Sequence, residues 1–363
     1  MKIIDRYLIR EFLVVFFYCL LVFVSLYIII DLFTQLSDIL RNHTSLQYIL
    51  KYYGTFIPVI SIQIMPIAIL ISTLYTLNNF NRYNEITAMH ASGISLWQLI
   101  LPFLITGFIL SSISLIMNEK VIPQAFLIST TTREREIEKK PKFKGGGKII
   151  KNVAFYGREN RMFYIKIFDQ KENTLSSIII LEHNKQQHLR SRLTAEKAKF
   201  ENGRWKFYNA IIYPLDRTGQ LTDEPLFYKQ KIIDLPEKPD DFVLSQYQTE
   251  FMSYSQLKKY VNRFSSSGYQ PTKELVDLYN KISYPFINFV IILIGIPFAL
   301  RQTRGGTLMY IGIGMGIGFI FYGFIATSAA LGKAGILPPL VSAWLPNITF
   351  CICGFLMLAK LNR

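Results

Sequence analysis

The sequence predicts a polytopic α-helical membrane protein with six transmembrane helices, interrupted by one large insert that begins as a β domain. Three observations carry this. Six stretches of the 363-residue chain hold no Asp, Glu, Lys or Arg, the shortest being 19 residues long, close to the ~20 needed to cross a bilayer. Half of all residues are apolar and only 18% are charged, against roughly a quarter in soluble domains. The charge that remains is concentrated. Residues 121–280 carry 27 basic and 19 acidic side chains, so +8 of the formal +15 lies between the third and fourth stretches.

The charge-free windows are Phe12–Ile30, Tyr52–Asn81, Ile86–Asn118, Ile282–Leu300, Thr307–Gly332 and Ala334–Ala359. Backbone polar groups in lipid must be satisfied within the segment, so each reads as a helix. The expected spans are 12–34, 54–78, 96–118, 281–300, 307–328 and 337–358. The first has the basic start of a signal peptide, but its apolar run is long and no small-residue cleavage site follows. It reads as an uncleaved span that continues through Asp31-Leu32-Phe33.

The insert changes period. Lys151–Tyr156 and Met162–Ile167 alternate as strands do, and Leu175–Leu181 and Trp205–Tyr213 add more. Turns are marked at Gly157–Asn160, Glu201–Gly203 and Asp216–Gly219, and Lys144–Lys148 reads as an exposed loop. A β sandwich or open barrel over about 135–250 is expected, followed by a helix over 253–264 and another from Pro271 into span four. The domains are therefore 1–120, 121–280 and 281–363.

Orientation follows from short flanking charges. Lys2, Arg6, Arg10, Arg82, Arg301, Arg304, Lys360 and Arg363 flank one side, against Arg41, Lys51 and Lys333 on the other. Both termini are expected in the cytoplasm and the insert outside. Cys19, Cys351 and Cys353 all fall in spans, so no disulfide framework is expected in the insert. A basic surface outside the membrane suits an anionic lipid headgroup rather than nucleic acid, or is simply a solvated face.

No GxxxxGK[ST] loop, HExxH, CxxC or GxSxG occurs, and His43, His90, His183 and His188 have no ligand spacing. Direct ATP binding by a phosphate loop and the common hydrolase and zinc chemistries are thereby set aside. No charged residue lies deep in spans two to six, which argues against ion coupling, although Asp31 sits inside the membrane if span one is long.

The residues also resemble a known family. The opening Lys2–Phe12 and the segment Asn84–Ser95 after span two look like permeases of lipopolysaccharide export, the LptF/LptG (YjgP/YjgQ) family. Ile28–Phe33 and Leu337–Asn347 look more like the LptG branch. The resemblance covers essentially the whole chain. It implies an inner-membrane permease whose insert is a periplasmic β-jellyroll domain. It also implies a second, LptF-like permease, a dimeric cytoplasmic LptB-like ATPase that uses ATP and Mg2+, and a periplasmic bridge. A single-span LptC-like regulator accompanies some such complexes. The cargo would be lipopolysaccharide, and no cofactor would bind this chain directly. An alternative from another class is a membrane-anchored assembly or scaffold protein with a periplasmic binding domain.

Glu85 and Arg82 lie in the connection between spans two and three, where the resemblance places the ATPase-coupling helix, around 79–95. Without it, Glu85 is an ordinary loop carboxylate. Ile86, Met89 and Ile94 would form an apolar stripe there, suited to a groove of the motor. Arg41 and Lys51 lie just outside span one; a guanidinium there could hold a lipid phosphate bidentately or merely anchor the surface. Phe16, Phe23, Leu26 and Ile30 line an acyl cavity or face bulk lipid, both readings remaining open. In span five, Gly312/Gly316 and Gly314/Gly318 give two small-residue faces for helix packing. Pro66 and Pro297 are candidate bends. In the insert, Val153, Phe155, Phe163, Ile165 and Ile167 face either a lipid-carrying lumen or a closed core.

Overall fold

A computed structural model describes residues 3–139, 149–157, 160–169, 171–184, 188–201, 203–216, 220–239, 242, 251–265, 271–300 and 307–361. The Lys144–Lys148 loop, the positions of Lys2, Arg301, Arg304 and Arg363, and the side chain of Phe155 lie outside the described residues. The chain divides into two units, one of residues 1–139 with 272–363, the other of residues 140–271.

The first unit is helical. Its elements are α1 (Ile3–Arg41), α2 (Leu46–Arg82), α3 (Glu85–Ala91), α4 (Leu96–Lys120) and α5 (Ile122–Thr132), which runs into a π-helical turn, Arg133–Ile137. Its six helices long and apolar enough to cross a membrane match the six predicted spans in order. The helices outrun the charge-free windows, because backbone hydrogen bonding continues where the side chains turn polar. Thus α1 covers 39 residues and α2 covers 37. The unit extends past the expected boundary at residue 120, because α5 packs against α2.

In the second unit, strands β1 (Ile149–Tyr156), β2 (Arg161–Asp169), β3 (Thr174–His183), β4 (Leu189–Glu201), β5 (Arg204–Pro214) and β6 (Leu226–Ile233) form one antiparallel sheet, each beside its sequence neighbour. Helix α6 (Tyr254–Ser265) follows. Back in the first unit are α7 (Thr272–Ser283), a 3-10 turn, α8 (Ile287–Leu300), α9 (Thr307–Lys333) and α10 (Pro339–Leu361).

The membrane unit is organised around α8. Its sequence INFVIILIGIPFAL is apolar on every face, and such a helix belongs in an interior. Nearly all of it is buried, against α2, α4 and α10. Small residues set these approaches: a Cβ at Gly107 of α4 would lie 2.8 Å from Ile292, and one at Gly354 of α10 would lie 2.9 Å from Leu293. Polar side chains bridge the same helices. Asn288 Nδ2 donates to Ser114 Oγ across 2.9 Å, and Ser114 Oγ reaches Met65 Sδ at 3.1 Å, joining α8, α4 and α2. Helices α2 and α8 continue through Pro66 and Pro297.

The inserted β domain has a single core around Trp205, Phe163, Phe168, Phe207 and Phe242. Trp205 Nε1 donates to the Glu237 carbonyl at 2.8 Å. Simple alternation breaks in the middle of β2 to β5. Buried Ile165 and Phe168 are separated by two unburied residues, as are Leu175 and Ile178, Ala195 and Ala198, and Phe207 and Ala210. The inward parity therefore reverses at one level across four strands. Ser177 and Asn209 adopt positive φ there, 50° in each case, which turns an extended strand as a bulge residue does. The result is a crease running across the sheet. Val153, Phe163 and Ile165 belong to the closed core, whereas Ile167 falls at the crease and is half-buried.

Candidate functional site

Three places bring chemistry-bearing residues together. The first is the connection around α3. Asn84, at φ 57°, turns the chain from α2 into α3, and Gly93, at φ 85°, turns it out again. Ile86 is buried, while Met89 and Ile94 are half-buried. The apolar stripe expected to enter a partner's groove is therefore turned toward the chain's own helices, because burying it is what holds so short a helix. The outward face is Thr87, Ala88, His90 and Ala91, with Arg82 exposed at the end of α2. Glu85 is half-buried and accepts a hydrogen bond at Oε2 from Tyr7 Oη of α1, at 3.0 Å.

The second place is the α1–α2 corner. One oxygen, Asp31 Oδ2, accepts from Gln35 Nε2 (2.6 Å), Tyr53 Oη (3.1 Å) and Tyr52 Oη (3.3 Å). The carboxylate thus has partners on both α1 and α2. The π-helical turn is fastened to the same corner, Asn42 Nδ2 donating to the Ile137 carbonyl at 2.7 Å and Thr44 Oγ1 to that of Glu136 at 3.1 Å. Arg41 and Lys51 are exposed here. Arg133, whose Nε lies 2.8 Å from Glu138 Oε1, brings a further cation that sequence spacing did not single out. It is 92 positions from Arg41, and only the fold relates them.

The apolar candidates separate cleanly. Phe16 is 2% exposed, beside Phe12, which meets Phe103 of α4; it belongs to the chain's own core rather than to an outward wall. Phe23 is half-buried, whereas Leu26 and Ile30 are exposed. On α9, Gly314 and Gly318 pack against Leu74 and Leu70 of α2. Around Gly312 and Gly316 an added Cβ would meet nothing within 4 Å, so among the described residues that face has no partner.

The third place is the crease. Lys166, Ser177, Glu196 and Asn209 stand at one level on four adjacent strands, between the ladder pairs on either side. Asn209 Nδ2 donates to Glu196 Oε2 at 2.7 Å. Beside this polar row run Tyr164, Ile179 and Thr194, and together they line an open hollow of about 680 Å³. Val153 and Ile165, two of the strand residues read from the sequence, also line it, while Phe163 lies in the core.

Among the described residues, six bilayer-length apolar helices with an antiparallel sheet inserted after the third define a multi-pass membrane protein. The comparison with known proteins is specific. The model of the lipopolysaccharide export system permease LptF/LptG family matches residues 6–360, and the chain belongs to that family. It is 24% identical to lipopolysaccharide export system permease protein LptG of Escherichia coli K12 over 299 residues, 81% of each chain. The same values hold for LptG of Escherichia coli O6:H1.

Proposed function

We propose that this chain is the LptG-type permease subunit of an ABC transporter that extracts lipopolysaccharide from the inner membrane and passes it to a periplasmic bridge. The family match over nearly the whole chain is the observation that supports this most strongly. A second, LptF-like permease is its partner, and the unpartnered Gly312/Gly316 face of α9 suits close approach by another helix. A separate dimeric ATPase of the LptB type hydrolyses ATP with Mg2+. Both termini and α3 lie on the cytoplasmic side, where Glu85, Arg82 and the exposed face of α3 meet that motor. The β domain lies in the periplasm. An LptC-like single-span helix is a further partner.

In this reading the exposed Leu26 and Ile30 of α1 meet acyl chains, and Arg41 and Lys51 attract the anionic headgroup at the outer corner. The hollow at the crease offers apolar wall and polar row together, as an amphipathic glycolipid requires. The deciding experiment is co-purification with the motor and the second permease, followed by ATP-dependent release of lipopolysaccharide from proteoliposomes. Release that needs ATP and this subunit supports the proposal. A stable assembly that never moves lipid favours the scaffold alternative.

A further inference from the structure

Glu85 is held by a residue 78 positions earlier, on a different helix. Tyr7 sits on the first turns of α1, ahead of the charge-free stretch. Its ring lies 5.5 Å from that of Phe80 on α2, and its hydroxyl reaches Glu85 at the first position of α3. Three helices meet at this one side chain. Helix α3 itself has two points at which it can tilt, the left-handed Asn84 before it and Gly93 after it. Between them α3 spans seven residues and buries only Ile86. A hydrogen bond to a carboxylate is therefore a large share of what fixes its orientation.

On its inner face α1 is packed firmly, through Leu8, Phe12 and Phe16. From there it continues without interruption to the Asp31 corner and Arg41. A continuous helix carries a displacement of its first turn along its axis far better than a flexible loop would. The tie at Tyr7 thus joins the shortest described α-helix of the membrane unit to its longest.

We propose that Tyr7 is a positioning residue for Glu85, and that the Tyr7–Glu85 hydrogen bond makes α1 follow the movements of α3. This rests on the reading of α3 as the motor-facing helix. In this proposal Tyr7 acts through Glu85: it sets the direction of the carboxylate and transmits its displacement.

The test is Tyr7→Phe, which removes the hydroxyl and keeps the ring against Phe80. Two readouts are needed. The first is the distance distribution between spin labels at Arg10→Cys and Ser92→Cys, measured by pulsed electron paramagnetic resonance. It is taken on the full chain paired with its partner permease, with Cys19, Cys351 and Cys353 replaced by serine. The second is lipopolysaccharide released per ATP hydrolysed in the reconstituted complex. Tyr7→Phe is expected to broaden the distribution and to lower release per ATP by roughly three- to tenfold, the range for losing one charge-assisted hydrogen bond at a partly exposed site. The motor is expected to co-purify at the wild-type level. Combined with Glu85→Gln, Tyr7→Phe is expected to add little, since both changes weaken one bond.

An unchanged distance distribution in Tyr7→Phe overturns the tie. A broadened distribution with wild-type release per ATP overturns the transmission, and leaves the motor-facing role of α3 intact if Glu85→Ala still uncouples hydrolysis. If Glu85→Ala hydrolyses and transports normally, the reading of α3 falls and transmission through Tyr7 falls with it. Effects of Tyr7→Phe and Glu85→Gln that simply add overturn the shared bond.

Discussion

Tyr53 donates its hydroxyl to Asp31 Oδ2 at 3.1 Å, and Tyr52 and Gln35 converge on the same oxygen. A single carboxylate oxygen thus ties α1 to α2. Replacing Asp31 with Ala takes this acceptor from the Tyr52 and Tyr53 hydroxyls, while Gln35 Nε2 keeps Tyr52 Oη at 3.2 Å, at a cost of about 2 kcal/mol. Asp31→Asn keeps one acceptor oxygen and is expected to lose less. Thermal unfolding in detergent should rank the proteins wild type, Asn, then Ala. A stability of Asp31→Ala equal to wild type contradicts the tie.

Glu85 is the residue on which motor coupling turns in the proposed function. Glu85→Ala or Glu85→Arg should weaken motor co-purification or leave hydrolysis running without lipid release. Folding should be nearly unaffected, because Glu85 is half-buried and Ile86 still anchors α3. The check is ATPase rate and lipopolysaccharide release measured on one preparation; normal values for both count against coupling here.

The two glycine faces of α9 should respond differently. A Cβ at Gly314 would lie 2.6 Å from Leu74 Cδ1, so Gly314→Leu should destabilise the chain itself, by about 1–3 kcal/mol from overpacking. At Gly312 an added Cβ meets nothing within 4 Å among the described residues, so Gly312→Leu should cost the chain's own stability far less. It is expected instead to reduce recovery of the permease pair. Equal loss of pairing and stability in both variants would show that the faces are not distinct.

Arg41 is exposed at the α1–α2 corner, with Arg133 fastened nearby through the π-helical turn. A photoreactive amino acid at position 41 should capture lipopolysaccharide. Absence of that product, while probes at positions 26 and 30 capture lipid, removes Arg41 from the path.

Trp205 fills the centre of the β domain, packed on Phe200 and Phe242 and bonded to the Glu237 carbonyl. Trp205→Ala should cost about 3–5 kcal/mol of β-domain stability. Protease cleavage of the full chain within 149–233 should then rise, while the membrane helices stay intact.

The spans were legible because charge is excluded from lipid, and that exclusion survives in composition alone. Strand positions were legible from alternation, and turns from residues such as Gly203, which takes φ 80°. Phase was harder. Gly312/Gly316 and Gly314/Gly318 have identical spacing, and only the packing of Leu70 and Leu74 shows which pair is used inside the chain. Phe16 and Ile30 are equally apolar, yet one is core and the other exposed. The stripe of Ile86 and Met89 was visible, but its direction depends on neighbours distant in sequence. Arg133 and Tyr7 escaped for the same reason: their partners are remote, and neither carries a local motif. At the crease, Ser177 and Asn209 take a backbone conformation that nothing in an alternating strand announces.

The crease constrains how this domain can change in length. Its level is shared by β2, β3, β4 and β5, so one residue inserted between a hairpin and the crease would shift a single strand's corner out of line with its neighbours. Each side chain beyond that point would then exchange inside for outside. Growth and shrinkage are accordingly confined to the hairpins, and the sheet's width can vary only by whole strands added at β1 or β6.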